Sequence, residues 1–308
     1  MRIVLLCCAL LIGIPARQSD LPPAPGKLVD IGGRRLHLLC SGQGAPSVIL
    51  EAGASSFAID WALVQREVEK SHRVCSYDRA GHGWSDPAPS GGSSTTAGDL
   101  HALLAAAAEK PPYVLVGASR GGLLVRTYLA AYPDEVVGFV FVDPSSEDRL
   151  FTMLNGEGVL IASLTADQLK TTFPTQPVPV PRRKPQTGAP FDRLPPDLYR
   201  TRIQLDERLI SSIPETVPAE VVASSQERER AMLAALLATR TASATPFGDR
   251  PTVVLSRGSD RNADREAAHA ALAKLSTNPR FSVIADAGHE IHLFAPEVVV
   301  VAIEDVLI

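Results

Sequence analysis

The stretch Val-Leu-Val-Gly-Ala-Ser-Arg-Gly-Gly at residues 114–122 decides the predicted fold. It begins as an apolar strand, passes through the pattern Gly-x-Ser-x-Gly around Ser119, and continues into a helical pattern of apolar residues. Gly117 and Gly121 suit a sharp turn from strand to helix because they let neighbouring chain segments approach very closely. Such a turn holds its serine in a strained backbone region and lifts the hydroxyl above the sheet. We therefore predict that Ser119 is a nucleophile.

Short apolar runs without strict alternation recur on both sides of this turn, which is typical of strands covered on both faces. They lie at residues 47–51, 73–77, 113–116, 136–142, 252–256 and 281–285. Two earlier strands, at 27–31 and 34–40, are joined by Gly32 and Gly33, which suit a two-residue hairpin turn. Helical stretches lie between the later strands. This alternation predicts an α/β fold, with an eight-stranded, mostly parallel sheet covered by helices on both faces.

One long segment, at about residues 145–248, interrupts the alternation of strands and helices. Residues 196–213 and 219–240 have helical patterns, and eight prolines lie between residues 173 and 196. We interpret the segment as a helical lid over the sheet edge. An insertion without a role, or a partly disordered linker, is the alternative.

The first sixteen residues resemble a secretory signal peptide, with Arg2 near the start, an apolar run and Ala16 at the end. The run is too short to span a bilayer, and a proline-rich joint at 21–25 follows it. We expect cleavage after Ala16 and export to the periplasm or medium as a single domain, residues 17–308, without a membrane span. A buried first strand or helix is the alternative.

The 308-residue chain carries a formal net charge of -4, with acidic and basic residues mixed along its length. It therefore offers no basic face for a phosphate backbone, and we expect no nucleic-acid partner. The sequence gives no indication of the oligomeric state.

A serine nucleophile requires a histidine base, which a carboxylate must in turn orient. Asp260 follows the predicted strand 252–256, and His289 follows the strand 281–285, so both lie where parallel sheets collect their ligands. The order Ser119, Asp260, His289 also suits this architecture. His292 could replace His289, and Asp143 or Asp264 could replace Asp260.

A tetrahedral intermediate also needs two backbone N–H donors for its oxyanion. The N–H of Arg120 is one, because this residue directly follows the nucleophile. The loop at residues 51–56 supplies the other, since Gly53 lets the backbone turn towards Ser119, and we assign the N–H of Ala54. The alternative is that this loop is only a tight turn.

Together, these motifs resemble those of the α/β-hydrolase fold-1 family. The resemblance rests on Glu-Ala-Gly at 51–53, Tyr-Asp-Arg-Ala-Gly-His-Gly-Trp-Ser-Asp at 77–86, the serine turn, Gly-Ser-Asp at 258–260 and Gly-His at 288–289. It implies that the second strand runs antiparallel beside the fourth, which would bring Cys40 near Cys75 as a disulfide or as two buried thiols. Arg120 stands where the family usually has an uncharged residue. Its side chain either attracts an acidic substrate or, as we favour, forms a buried ion pair.

The family resemblance and the serine nucleophile imply hydrolysis of a small-molecule carboxylic ester through an acyl-serine intermediate. No metal or organic cofactor is expected. Cleavage of an amide or carbon–carbon bond by the same residues, as in an aminopeptidase, is the alternative among enzymes, and a non-enzymatic binding protein is the alternative outside them.

Overall fold

The computed structural model describes residues 21–89, 96–154 and 157–307. The predicted signal peptide lies outside these ranges.

The strands of the described residues belong either to a central sheet or to two small ladders in the segment between residues 143 and 251. In chain order they are Lys27–Asp30 (β1), Arg35–Ser41 (β2), Ser47–Glu51 (β3), Val74–Tyr77 (β4), Tyr113–Ala118 (β5), Val136–Val142 (β6), Phe151–Leu154 (β7), Glu157–Leu160 (β8), Val178–Pro179 (β9), Thr216–Val217 (β10), Thr252–Arg257 (β11) and Pro279–Ile284 (β12). The helices are Ala62–Val68 (α1), Thr96–Ala106 (α2), Gly121–Ala131 (α3), Ala166–Lys170 (α4), Pro196–Ser212 (α5), Ala219–Ala242 (α6), Ala263–Ala273 (α7), Ile291–Phe294 (α8) and Pro296–Leu307 (α9).

Eight of these strands form one sheet in the order β1-β2-β4-β3-β5-β6-β11-β12. The first two pairings, β1 with β2 and β2 with β4, are antiparallel, and the remaining pairings are parallel. The predicted fold class is thus confirmed, including the second strand beside the fourth. Gly32 and Gly33 both adopt positive φ angles in the first hairpin, as expected.

Side chains of the central strands alternate between two apolar cores, one on each face of the sheet. Leu115 of β5 packs with residues of α2, α3 and α7, such as Leu103 and Leu272. Val114 and Val116 pack on the other face with residues of α1 and α9. Because both faces are covered, the strands read as continuous apolar runs.

Antiparallel pairing of β2 with β4 places Cys40 directly opposite Cys75. The two sulfurs form a disulfide, with the Cα atoms 4.1 Å apart. Of the two alternatives left open by the sequence, the structure contains the bonded one. Glu109 lies close to the pair, but both sulfurs are occupied by the bond between them.

The segment between β6 and β11 contains both predicted helices, observed as α5 and α6. It also contains two short β-ladders, β7 with β8 and β9 with β10, which the sequence did not predict. These strands are short and pair outside the main sheet, so they lack the long apolar runs that mark the central strands. Leu233 and Leu236 of α6 pack on Leu123 of α3, next to the serine turn.

Among the described residues, no helix is both long enough and apolar enough to cross a bilayer.

Candidate active site

Ser119 occupies the turn between β5 and α3, and its φ angle is +51°. Its N–H donates to Val142 O at 3.0 Å, which ties the turn to the neighbouring strand β6. Only glycine fits two residues before and two residues after the serine. A Cβ on Gly117 would lie 2.7 Å from the backbone of Gly121, and one on Gly121 would lie 2.4 Å from Glu51 O. The turn thus has the strained, crowded geometry that the sequence predicts.

His289 lies in the loop between β12 and α8, and its Nδ1 is 2.5 Å from Oδ2 of Asp143. Asp143 directly follows β6, has a φ angle of +41° and exposes 2% of its side chain. A hydrogen bond from Nδ1–H to a buried carboxylate fixes the ring tautomer and leaves the Nε2 lone pair available. The structure therefore brings together a histidine and a carboxylate, but the carboxylate is Asp143.

Asp143 is held in its ionised form by the groups around it. Burial opposes ionisation, but the hydrogen bond and charge of His289, together with the N–H and guanidinium of Arg257, keep the pKa of Asp143 below its ordinary value. Arg257 donates to the carboxylate through its backbone N–H and through Nη1, each at 3.1 Å. The sequence offers no spacing signal for this arginine, which ends β11.

Asp260, which the sequence pairs with His289, lies elsewhere. Its side chain is 62% exposed and binds Arg257 Nε at 2.8 Å and Arg265 Nη2 at 3.3 Å. The guanidinium of Arg257 separates it from the histidine, because the same side chain reaches Asp143 through Nη1. The predicted pairing is thus replaced by the alternative on β6, and Asp264, the third carboxylate considered, is exposed in the first turn of α7.

His292, the alternative histidine, is buried, and its ring packs on Trp61 with the centroids 4.5 Å apart. Burial lowers the pKa of His292 to about 3, so the ring is neutral at ordinary pH. The structure gives the carboxylate contact to His289 instead.

Ser119 and His289 line the same cavity, which has a volume of about 170 Å³. The other lining residues are Gly53, Ala54, Ser55, Ser56, Ala118, Gln186, Glu290 and His292. Gln186 belongs to the segment between β6 and β11, so this segment contributes to the wall of the cavity.

Gln186 is held in place by charged residues of α5. Arg202 donates to its backbone carbonyl at 3.1 Å and to its side-chain Oε1 at 2.8 Å, and Asp206 accepts its N–H at 2.8 Å. Arg202 is fully buried and also pairs with Asp60. Asp60 lies in a 3₁₀ helix, Ala58–Trp61, which follows the loop at residues 51–56. Buried charges thus fix the position of this part of the wall.

Ala54 lies in the loop after β3, as the proposed oxyanion donor requires. Gly53 approaches the nucleophile closely, since a Cβ built on it would lie 3.5 Å from Ser119 Cβ. Arg79 holds the loop through the carbonyls of Ala52, Gly53 and Ala54, at 2.7, 2.5 and 3.2 Å.

His82 also contacts this loop, because its Nε2 lies 3.0 Å from Ala54 O. Burial lowers the pKa of His82 to about 4, so the neutral ring donates one hydrogen bond without adding charge. Arg79 and His82 belong to the motif at 77–86, but the sequence did not reveal this role.

The side chain of Arg120 forms an ion pair with a residue of α6. Its two terminal nitrogens contact the carboxylate of Glu229 on α6, at 2.7 and 2.5 Å. Glu229 is 5% exposed, so the pair is largely shielded from water. This is the ion pair favoured over attraction of an acidic substrate, and it ties α6 to the serine turn.

Comparison with known proteins shows the family to which the chain belongs. A probable transporter from Hormonema carpetanum is 36% identical over 129 residues, which are 39% of this chain and 18% of that protein. The chain spans less than half the length of the curated relatives it matches. Such matches are too partial to transfer a whole protein's activity.

Solved structures match over most of the chain. Est816, described as an N-acyl homoserine lactone degrading enzyme, superposes with a TM-score of 0.60 at 19% identity, covering 90% of this chain and 99% of its own. A thermophilic esterase from Thermogutta terrifontis gives 0.57 at 22% identity, covering 91% and 97%. Identities this low show the fold alone. The sequence model of one family, described as the alpha/beta hydrolase fold, matches residues 46–296, and the chain belongs to that family.

Proposed function

We propose that the protein hydrolyses small carboxylic esters through an acyl-Ser119 intermediate, with His289 as the general base and Asp143 as the carboxylate that orients it. One observation carries the proposal: Ser119, in its strained turn, shares a cavity with a histidine whose Nδ1 contacts a buried carboxylate. The family membership and the esterase and lactonase among structures of this fold support it.

In the first half of the reaction, Nε2 of His289 removes the proton of Ser119, and Oγ forms a bond to the substrate carbonyl carbon. The carbonyl oxygen becomes an oxyanion, which the N–H groups of Ala54 and Arg120 stabilise. The intermediate collapses, the carbon–oxygen bond to the alcohol breaks, and the alcohol leaves with the proton from His289.

In the second half, water replaces the alcohol. His289 takes a proton from the water as its oxygen attacks the acyl carbon, and the bond to Ser119 breaks as the proton returns to Oγ. The product is a carboxylic acid, and the enzyme is restored. Asp143 stabilises the imidazolium that forms in both halves.

A fluorophosphonate probe and p-nitrophenyl acetate test the proposal together. The wild-type protein should become labelled and should hydrolyse the ester, whereas Ser119→Ala should do neither. The matched control is Ser55→Ala, which alters a serine of the same cavity outside the turn and should retain labelling. A folded wild-type protein that resists the probe and leaves the ester intact would rule out the enzyme.

Cleavage of an amide bond is the second candidate, and one observation favours it. Glu290 lines the cavity beside His289 and could bind the amine of an amino-acyl substrate. Aminoacyl p-nitroanilides, tested beside the esters, decide between the two candidates. Faster cleavage of the anilides that disappears in Glu290→Gln would favour the amidase.

Export completes the proposal. The Cys40–Cys75 disulfide suits an oxidising compartment, which agrees with the signal-like first sixteen residues. Expression of the full chain followed by cell fractionation and N-terminal sequencing tests it. An intact N-terminus in the cytoplasmic fraction would contradict export.

A further inference from the structure

Arg257 places its guanidinium between two carboxylates, one in the active site and one at the surface. Nη1 lies 3.1 Å from Asp143 Oδ2, and Nε lies 2.8 Å from Asp260 Oδ1. We propose that Arg257 is a positioning residue of the active site whose charge, partly neutralised by Asp260, sets the lower pH limit of catalysis. The inference rests on the function proposed above.

The first step of the argument is the orientation of Asp143. Arg257 binds both of its oxygens, since the backbone N–H donates to Oδ1 and Nη1 donates to Oδ2. Oδ2 is also the oxygen that accepts the hydrogen bond of His289. With both oxygens held by one residue, the carboxylate has little freedom to rotate away from the histidine.

The second step is the effect of the positive charge on the histidine ring. Nη1 of Arg257 lies 3.1 Å from Nδ1 of His289. Nδ1 donates its proton to Asp143, so it cannot also accept one from the arginine, and the contact places a cation against the ring. A neighbouring positive charge opposes the build-up of positive charge on the ring, so the contact acts against the Asp143 carboxylate on the other side of Nδ1.

The third step is the role of Asp260. A full charge on Arg257 would also oppose the imidazolium that must form during each turnover. Asp260 contacts the far side of the guanidinium and offsets part of that charge. Because its side chain is 62% exposed, water screens it, and its effect is weaker than that of Arg257.

Other charged and titratable groups face the same pair from the surrounding elements. Arg265 and His269 of α7 lie 3.9 and 4.0 Å from Asp143 Oδ1, and His292 and Glu290 line the same cavity as His289. His269 is fixed by contacts with Ser256 Oγ and Pro144 O, and burial lowers its pKa. These groups are common to the variants below, so differences between the variants report on Arg257 and Asp260.

The test is the pH dependence of kcat/KM for p-nitrophenyl acetate, and of fluorophosphonate labelling, in wild-type protein and variants. Arg257→Gln should move the midpoint of the acid limb upward by about one pH unit. Arg257→Lys keeps the charge and should leave the midpoint close to that of the wild type. Asp260→Asn should move it downward, by less than the Arg257→Gln change.

A double variant tests whether Asp260 acts as an offsetting charge. If it does, the shifts of Arg257→Gln and Asp260→Asn should have opposite signs and should partly cancel in the double variant. The matched control is Arg261→Gln, which removes an exposed arginine of the same segment that pairs with Glu266. An unmoved midpoint in Arg257→Gln, or an upward shift in Asp260→Asn, would overturn the inference.

A second measurement does not depend on activity. The pH midpoint of the His289 Cε1–H resonance, assigned by its loss in His289→Gln, should follow the same order among the variants. Wild-type protein that neither labels nor hydrolyses would refute the proposed function, and these resonances would still decide the inference. If Arg257→Gln does not fold, the downward shift in Asp260→Asn decides it, because that residue is at the surface.

Discussion

His289 contacts Asp143 and not the predicted Asp260, and this leads to opposite predictions for two isosteric variants, Asp143→Asn and Asp260→Asn. In Asp143→Asn, an amide replaces a carboxylate that is 2% exposed and lies 2.5 Å from Nδ1. The amide does not stabilise the imidazolium, and an amide N–H facing Nδ1 favours the tautomer with its proton on Nε2, which cannot accept the serine proton. The expected loss in kcat is roughly 10³- to 10⁴-fold, which corresponds to about 4 to 5 kcal/mol in the activation free energy.

Asp260→Asn provides the comparison, because the Asp260 side chain is exposed and pairs with Arg257 and Arg265 at the surface. At pH 8, above the acid limb, it should keep kcat within about threefold of the wild type, since surface charges contribute little. Initial rates with p-nitrophenyl acetate, normalised by active-site titration, measure both variants. An Asp260→Asn variant as impaired as Asp143→Asn would show that the carboxylates have been assigned in the wrong order.

Four further outcomes follow from contacts outside the pairing of His289. Burial opposes ionisation of Glu147, yet Arg126 and Arg240 lower its pKa to about 2; its ion pairs therefore stabilise the fold above pH 4.5 and are lost as the pH falls towards 2. Glu147→Gln should lower the free energy of unfolding in urea by up to about 3 kcal/mol at pH 7, with a smaller difference at pH 3. Glu229→Gln should lower it by about 2 kcal/mol and raise KM more than it lowers kcat, because it separates α6 from Arg120; equal KM values would contradict this. Replacing both Cys40 and Cys75 by Ala should cost about 4 kcal/mol, given their separation of 35 residues, and peptide mapping of unreduced protein should recover the linked pair. The cavity of about 170 Å³ is small for a ligand site, so kcat/KM should fall from p-nitrophenyl acetate to the octanoate ester, and a preference for the octanoate would show that the cavity opens.

The sequence was informative wherever a local rule determines the structure. The central strands can be recognised in the sequence as apolar runs, because both of their faces are buried. The observed bounds of β3 and β6 equal the predicted ones. The turn at Ser119 could be predicted because two close backbone approaches require glycine, at Gly117 and Gly121. The prediction of His289 uses a different local rule, its position after the last strand, and the structure gives this histidine the contact with a buried carboxylate.

The sequence could not show which carboxylate contacts His289, because Asp143 and Asp260 both follow parallel strands and both lie at the same edge of the sheet. What separates them is the path of the chain after β11 and the direction of the Arg257 side chain, which are tertiary properties. The short ladders after β6 were missed for a similar reason, since two- to four-residue strands carry too few residues to show a period.

The contacts of Arg79 have a consequence for the proposed oxyanion site. By attracting three successive carbonyl oxygens to one side, it orients the peptide units of the loop before any substrate arrives. The dipoles of those units are therefore aligned once, when the chain folds, and need no rearrangement at each turnover. A cation behind the loop thus fixes the direction of one of the two proposed donors, the N–H of Ala54, while the other is fixed by the serine turn.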